Sequence, residues 1–201
     1  MPTLVGLWCV AALLATAALA IAIGRLSFGS VVVYGASLAA SLLAFVVALT
    51  HLIAGSEAAT MSLPLGLPGI GAQFRVDALA AFFLVVANLG GAAASLYGLG
   101  YGRHESAPMR VLPFFPAYLA GMNLVVLADD AFAFLVAWEF MSLSSWALVM
   151  SNHRAPETAR AGYIYLVMAS FGTLALLMAF GLLAGPEGGY EIGRASCRER
   201  V

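Results

Sequence analysis

Apolar residues run along this chain in unbroken blocks of about 20, the length a helix needs to cross the hydrocarbon of a bilayer. Polar and turn-forming residues fall between the blocks. The first block is Leu4–Ile23, ending before Gly24-Arg25, and the second is Val31–Ile53, closing at Gly55-Ser56-Glu57. The next stretch, Leu63 to Arg75, is broken by Pro64, Pro68 and the glycines through Gly71, which excludes a regular helix and predicts a short extended or hairpin segment at the surface. Further spans are predicted over Val76–Gly98, Val111–Ala128, Ala131–Met150 and Ala161–Ala184. Pro113 and Pro116 fall near the entry of the fourth, where proline is best tolerated. Asp129-Asp130 reads as a solvated turn before the fifth, and Gly185-Pro186 stops the sixth. The fold class is therefore all-α: a polytopic transmembrane helix bundle of six spans. A two-helix membrane segment occupies 1–60, a short surface segment 61–75, and the remaining spans 76–190. Gly90-Gly91 and Ala92 to Ala94 in the third span, with Gly172 and Gly181 in the sixth, are candidates for close helix approach.

Composition agrees with this pattern. Of the 201 residues, 63% are hydrophobic and 9% charged, against about 25% charged in a soluble domain. Such a chain could not cover a core with polar surface, so an ordinary soluble enzyme, a nucleic-acid binder and a disordered tail are excluded. Net charge is −1, which supplies no basic field for nucleic acid. Cys9 and Cys197 give neither a disulfide framework nor metal spacing. A dinucleotide-binding glycine fingerprint, a cysteine cluster and a histidine pair for haem are all missing from the sequence, so no cofactor, metal or catalytic residue is predicted.

The last eleven residues, 191–201, read EIGRASCRERV and hold three of the nine arginines and two of the ten acidic residues. They match the in-frame translation of a short sequencing adapter and are left out of the fold. The natural chain is expected to continue past Tyr190. A cleaved signal peptide is the rival reading of the first block, but no basic residue precedes it and it is longer than a typical signal core.

Arginine positions predict orientation. Arg25, Arg103, Arg110, Arg154 and Arg160 follow the odd-numbered spans, whereas the other side holds only Arg75. The positive-inside rule then puts the N-terminus outside a bacterial inner membrane and those five arginines in the cytoplasm.

Within the spans one acidic residue lies deep. Glu139 is eight residues beyond Ala131, roughly 12 Å into the fifth span and near the bilayer midplane. Placing a carboxylate there costs about 2.5–3.5 kcal/mol on translocon scales, so such a group normally faces a bundle interior or a wet cavity. Phe132, Leu135, Ser142, Trp146 and Met150 share its side of the helix, Ser142 one turn on, and Ser144 and Ser145 widen the polar region. No arginine or lysine lies within the predicted spans, while His51, His104 and His153 sit at an end or in loops. Glu139 is thus protonated or paired with a group outside this stretch; a carboxyl whose proton occupancy depends on a movable counter-charge is the physical requirement of a proton relay, and the alternative is a structural polar contact. Ser142, Ser145 and Asn123 are candidate supporting residues. Asn88 and Asn123 also fit simple hydrogen bonding between helices, and Asp77 is well placed at the head of the third helix.

The run Trp138–Val149, WEFMSLSSWALV, together with Ala159–Thr173, ARAGYIYLVMASFGT, resembles the large antiporter-like subunits of proton-pumping respiratory complexes. These include the membrane-arm subunits of NADH–quinone oxidoreductase and the large subunits of Mrp-type cation/proton antiporters, and the W-E-x-M-S-L-x-S pattern is most similar to hydrogenase-4 component B and its formate hydrogenlyase relatives. The resemblance runs from Asp77 to Ala184, so 76–190 would be the start of an antiporter-like domain; the first two spans match in hydropathy only. It implies proton translocation by a larger bundle, in which the carboxyl matching Glu139 pairs with a lysine on the seventh helix, beyond this sequence. It also implies partner membrane and peripheral subunits of a hydrogenase or NADH dehydrogenase complex. Na+/H+ antiport and a non-transporting scaffold for redox subunits are the competing readings.

Overall fold

The computed structural model describes residues 2–55, 57–64, 71–102, 108–152 and 155–184. Arg103, His104, His153, Arg154, Pro68, the Gly185-Pro186 stop and the 191–201 peptide lie outside them. Six helices follow one another: α1 (Pro2–Ile23), α2 (Gly29–Ala54), α3 (Ala78–Tyr101), α4 (Phe114–Leu127), α5 (Ala131–Val149) and α6 (Pro156–Ala184). With short 3₁₀ turns at Pro108–Arg110 and Met150–Asn152 continuing two of them, all six are long and apolar enough to cross a membrane. A polytopic helix bundle is the fold.

The differences from the expected boundaries have local causes. The third helix starts at Ala78 rather than Val76, because the Asp77 carboxylate accepts the Ala80 N–H at 2.8 Å and caps it, while Val76 belongs to a strand. Pro113 occupies the N-cap of α4, so regular helix begins only at Phe114. Helix α6 begins five residues early, at Pro156, and takes Glu157 and Arg160 into its first turns; proline at a first helical position leaves no N–H unsatisfied that a helix would have used.

Helices α1 to α4 pack as one cluster, α2 against α1 and α3, and α4 against α1. Val10, Leu13, Ala48, Ala81, Leu84, Leu119, Ala120 and Leu127 form its core. Helix α5 packs on α4, and α6 mainly on α5. Close approach depends on small residues, only some of which were anticipated. A Cβ on Gly91 would meet the Ser41 hydroxyl at 3.1 Å and Leu119 at 3.0 Å, and the Tyr34 ring lies against Gly98 and Gly102. Gly121 meets the Met141 backbone, whereas Gly90, Gly172 and Gly181 face open space. Large apolar side chains stay exposed all along α6, among them Tyr163, Phe171, Met178 and Leu182, a surface suited to lipid or to further protein and not to water.

The predicted surface segment is an antiparallel hairpin, β1 (Ala59–Leu63) with β2 (Ala72–Val76), in the register Ala59–Val76 to Leu63–Ala72. It is not free at the surface. Phe74 pairs with Ala128 in an isolated bridge, and the Asp129 N–H donates to the Gln73 carbonyl at 2.9 Å. The Asp129-Asp130 turn is consequently not a solvated one. Asp130 is 3% exposed, and Asp129 is ion-paired with Arg75, Nε to Oδ1 at 3.4 Å. The turn has become a third, short partner for β2.

Candidate functional site

Helix α5 carries the candidate relay residue. Its N-cap is Asp130, whose carboxylate accepts the Ala133 N–H at 2.8 Å, and its sequence has no glycine or proline to bend it. Ala131, Ala137, Ser142 and Ser144 are buried along it. The Gly121–Met141 contact fixes the heights of α4 and α5. Two residues on from Gly121 and two back from Met141, Asn123 and Glu139 therefore stand level.

Glu139 is half-buried. It lies on one stripe with Phe132, Val136 and Leu143, at seven and three residues before it and four after, all of them exposed. Between the Phe134–Phe180 ring contact and the packing of Met150 on Gly162, α6 brings Thr173 and Leu174 to about the height of Glu139. The Thr173 hydroxyl is used locally, donating to the Ala169 carbonyl. Among the described residues Glu139 makes no hydrogen bond or ion pair, and Arg25, Arg75, Arg110, Arg160 and His51 all lie at helix ends or between helices. Ser142 is buried one turn away without bonding to Glu139. Ser144 donates to the Phe140 carbonyl at 2.8 Å, and Ser145 is half-buried beside them.

Asn123 is drawn away from Glu139. Its Nδ2 donates to the Leu119 carbonyl at 2.8 Å and to Asn88 Oδ1 at 3.3 Å, while Asn88 Nδ2 donates to Asn123 Oδ1 at 2.7 Å and to the Leu84 carbonyl at 2.9 Å. Both amides are buried, so this reciprocal pair joins α3 to α4 with its polar atoms satisfied. Removing one partner strands the other. Asn123→Ala is expected to lower stability by about 1–3 kcal/mol, whereas Asn88→Leu/Asn123→Leu together should cost much less. Thermal unfolding of the purified full-length protein would check this; a double-variant loss equal to the sum of the Asn88→Leu and Asn123→Leu losses would show that the pair carries no mutual energy.

Two further buried polar atoms have no partner among the described residues, Ser41 Oγ and His51 Nε2. No group of three or more His, Cys, Asp or Glu side chains suited to a metal occurs among the described residues. Sequence reasoning missed the role of Asp129-Asp130 and Arg75. The available signal was an Asp directly before an apolar run, the mark of an N-cap; the partner strand some 57 residues earlier left no such mark.

Residues 128–195 match the family model described as NADH:quinone oxidoreductase/Mrp antiporter, TM. The chain is 38% identical over 117 residues to hydrogenase-4 component B of Escherichia coli, covering 57% of this chain and 17% of that one. It is 31% identical over 137 residues to NADH-quinone oxidoreductase subunit N of Desulfovibrio desulfuricans, covering 68% and 27%. The chain thus spans about a sixth to a quarter of the length of these curated relatives. Among solved structures, a chain of the Mrp complex from Dietzia sp. superposes with a TM-score of 0.81 at 26% identity, over 96% of this chain and 36% of that one. A chain of the membrane-bound sulfane sulfur reductase, an archaeal respiratory membrane complex, superposes at 0.77 with 19% identity, over 96% and 39%. Fold likeness therefore includes the first two spans, where the sequence motifs gave only hydropathy.

Proposed function

We propose that the chain, whose residues 128–195 match the NADH:quinone oxidoreductase/Mrp antiporter transmembrane family model, is part of a membrane subunit coupling redox chemistry to proton translocation. Glu139 is the relay carboxyl in this reading. The observation that carries it is an acidic side chain at mid-span, without a counter-charge among the described residues, on a stripe whose other members are exposed. A carboxyl presented to lipid is costly, so that stripe suits further helices of the same protein that bring a basic partner. Ser142 and Ser145 line the same helix as supporting polar groups, and Asn123 contributes to helix packing. Partners are the other membrane and peripheral subunits of a hydrogenase or NADH dehydrogenase complex. The chain is multi-pass in the bacterial inner membrane with its N-terminus outside. Gly55→Cys should then label from the periplasm and Pro156→Cys only from the cytoplasm, and the opposite pattern would reverse the orientation.

Similarity to a chain of an Mrp complex favours one second reading, Na+/H+ antiport. Inverted vesicles holding the full-length protein in its complex, with a pH-sensitive dye, separate the two. Acidification driven by the redox substrate supports the proton pump. Collapse of a preset pH gradient by a sodium pulse supports antiport, and neither response leaves a scaffold.

A further inference from the structure

One strand of the hairpin holds the start of the helix that carries Glu139. The Asp130 carboxylate uses its two oxygens for two different elements. Oδ1 accepts the Ala133 N–H of α5 at 2.8 Å, and Oδ2 accepts the Gln73 N–H of β2 at 2.8 Å. The Gln73 carbonyl in turn accepts the Asp129 N–H at 2.9 Å, so one strand residue and one turn grip each other in both directions. The next strand residues extend the grip: Phe74 bridges to Ala128, and Arg75 pairs with Asp129 and with Asp77, the cap of α3. Asp130 itself is 3% exposed, so these bonds are shielded from competing water.

Helix α5 is held elsewhere by α4, by a sparser contact with α6 and by β2, while Phe132, Val136 and Leu143 along the Glu139 stripe stay exposed. Without glycine or proline it moves as a rod, and nine residues, about 13 Å, separate Asp130 from Glu139. We propose that Asp130 is a positioning residue, whose two-oxygen clamp on Gln73 and Ala133 sets the height and rotation of α5 and so the presentation of Glu139. The inference rests on the relay reading for its functional consequence, and on geometry alone for its structural one.

Two substitutions separate the clamp from the cap. Asp130→Asn keeps an N-cap of equal quality but turns an NH₂ toward the Gln73 N–H, two donors facing each other. Gln73→Pro removes that N–H directly. Gln73 pairs with Ser62, but its N–H and carbonyl both point to the 129–130 turn, so the hairpin ladder does not use them. Both variants are made in the full-length protein within its complex. The readouts are assembly, proton translocation in inverted vesicles, and the rate at which a hydrophobic carbodiimide labels Glu139, identified by its loss in Glu139→Gln. With assembly retained, both variants should change the labelling rate at least about threefold and lower translocation, and the double variant should do no more than either alone, because the two changes remove one bond. Wild-type labelling in both assembled variants, or failure of both to assemble, overturns the positioning role. Normal pumping by Glu139→Gln overturns the relay reading instead, and the labelling arm still reports the clamp.

Discussion

Glu139→Gln in the full-length protein should leave the complex assembled and cut proton translocation at least about tenfold, the scale of loss expected when a proton-transfer group is removed. The amide has nearly the shape of the protonated carboxyl and can still hydrogen-bond, so a purely structural contact would survive it. What it lacks is an exchangeable charge. A distant basic partner then has nothing to stabilise its protonated form, and the relay loses its switch. Glu139→Asp keeps the charge and shortens the reach by one methylene, so its defect should be milder. The measurement is pH-gradient formation in inverted vesicles beside an assay of assembly. Normal pumping by an assembled Glu139→Gln complex would remove the relay and leave the scaffold reading ahead.

Gly121→Ala should destabilise the bundle by about 1–3 kcal/mol, the cost of forcing extra volume into packed structure. The added Cβ would lie 2.8 Å from Met141 Cα, 2.9 Å from its Cβ and 3.1 Å from its N. The obstacle is backbone, so no side-chain rotation relieves it, and trimming Met141 to Ala should not restore stability. Helices α4 and α5 have to separate, which also displaces Glu139. Gly90→Ala and Gly181→Ala are the controls: both positions face open space, and alanine is the better helix former, so these should be neutral or slightly stabilising. Thermal unfolding of the detergent-solubilised protein distinguishes the sets, and a neutral Gly121→Ala would refute the close α4–α5 packing.

The six spans were legible in the sequence because a membrane helix needs only length and apolarity, both of which are local properties. Glu139 stands out as a candidate for the same reason, since one acidic residue among twenty apolar ones is conspicuous without any knowledge of its neighbours. The glycines show where such reasoning stops. Gly121 and Gly181 look alike in sequence, yet one touches a facing backbone and the other nothing, and that depends on which face of each helix meets a partner. Likewise Asn88 and Asn123, 35 residues apart, read as two separate polar residues until α3 and α4 pack and close them into one pair. The Asp129-Asp130 turn went furthest astray, read as solvated when it is the hub joining β2 to α5. Local pattern determined which segments are helices and how many cross the membrane, because burial of apolar length in lipid is decided residue by residue. Only the tertiary structure decided how those helices are tied, because a hydrogen bond between Gln73 and Asp130 joins elements that no short-range periodicity connects.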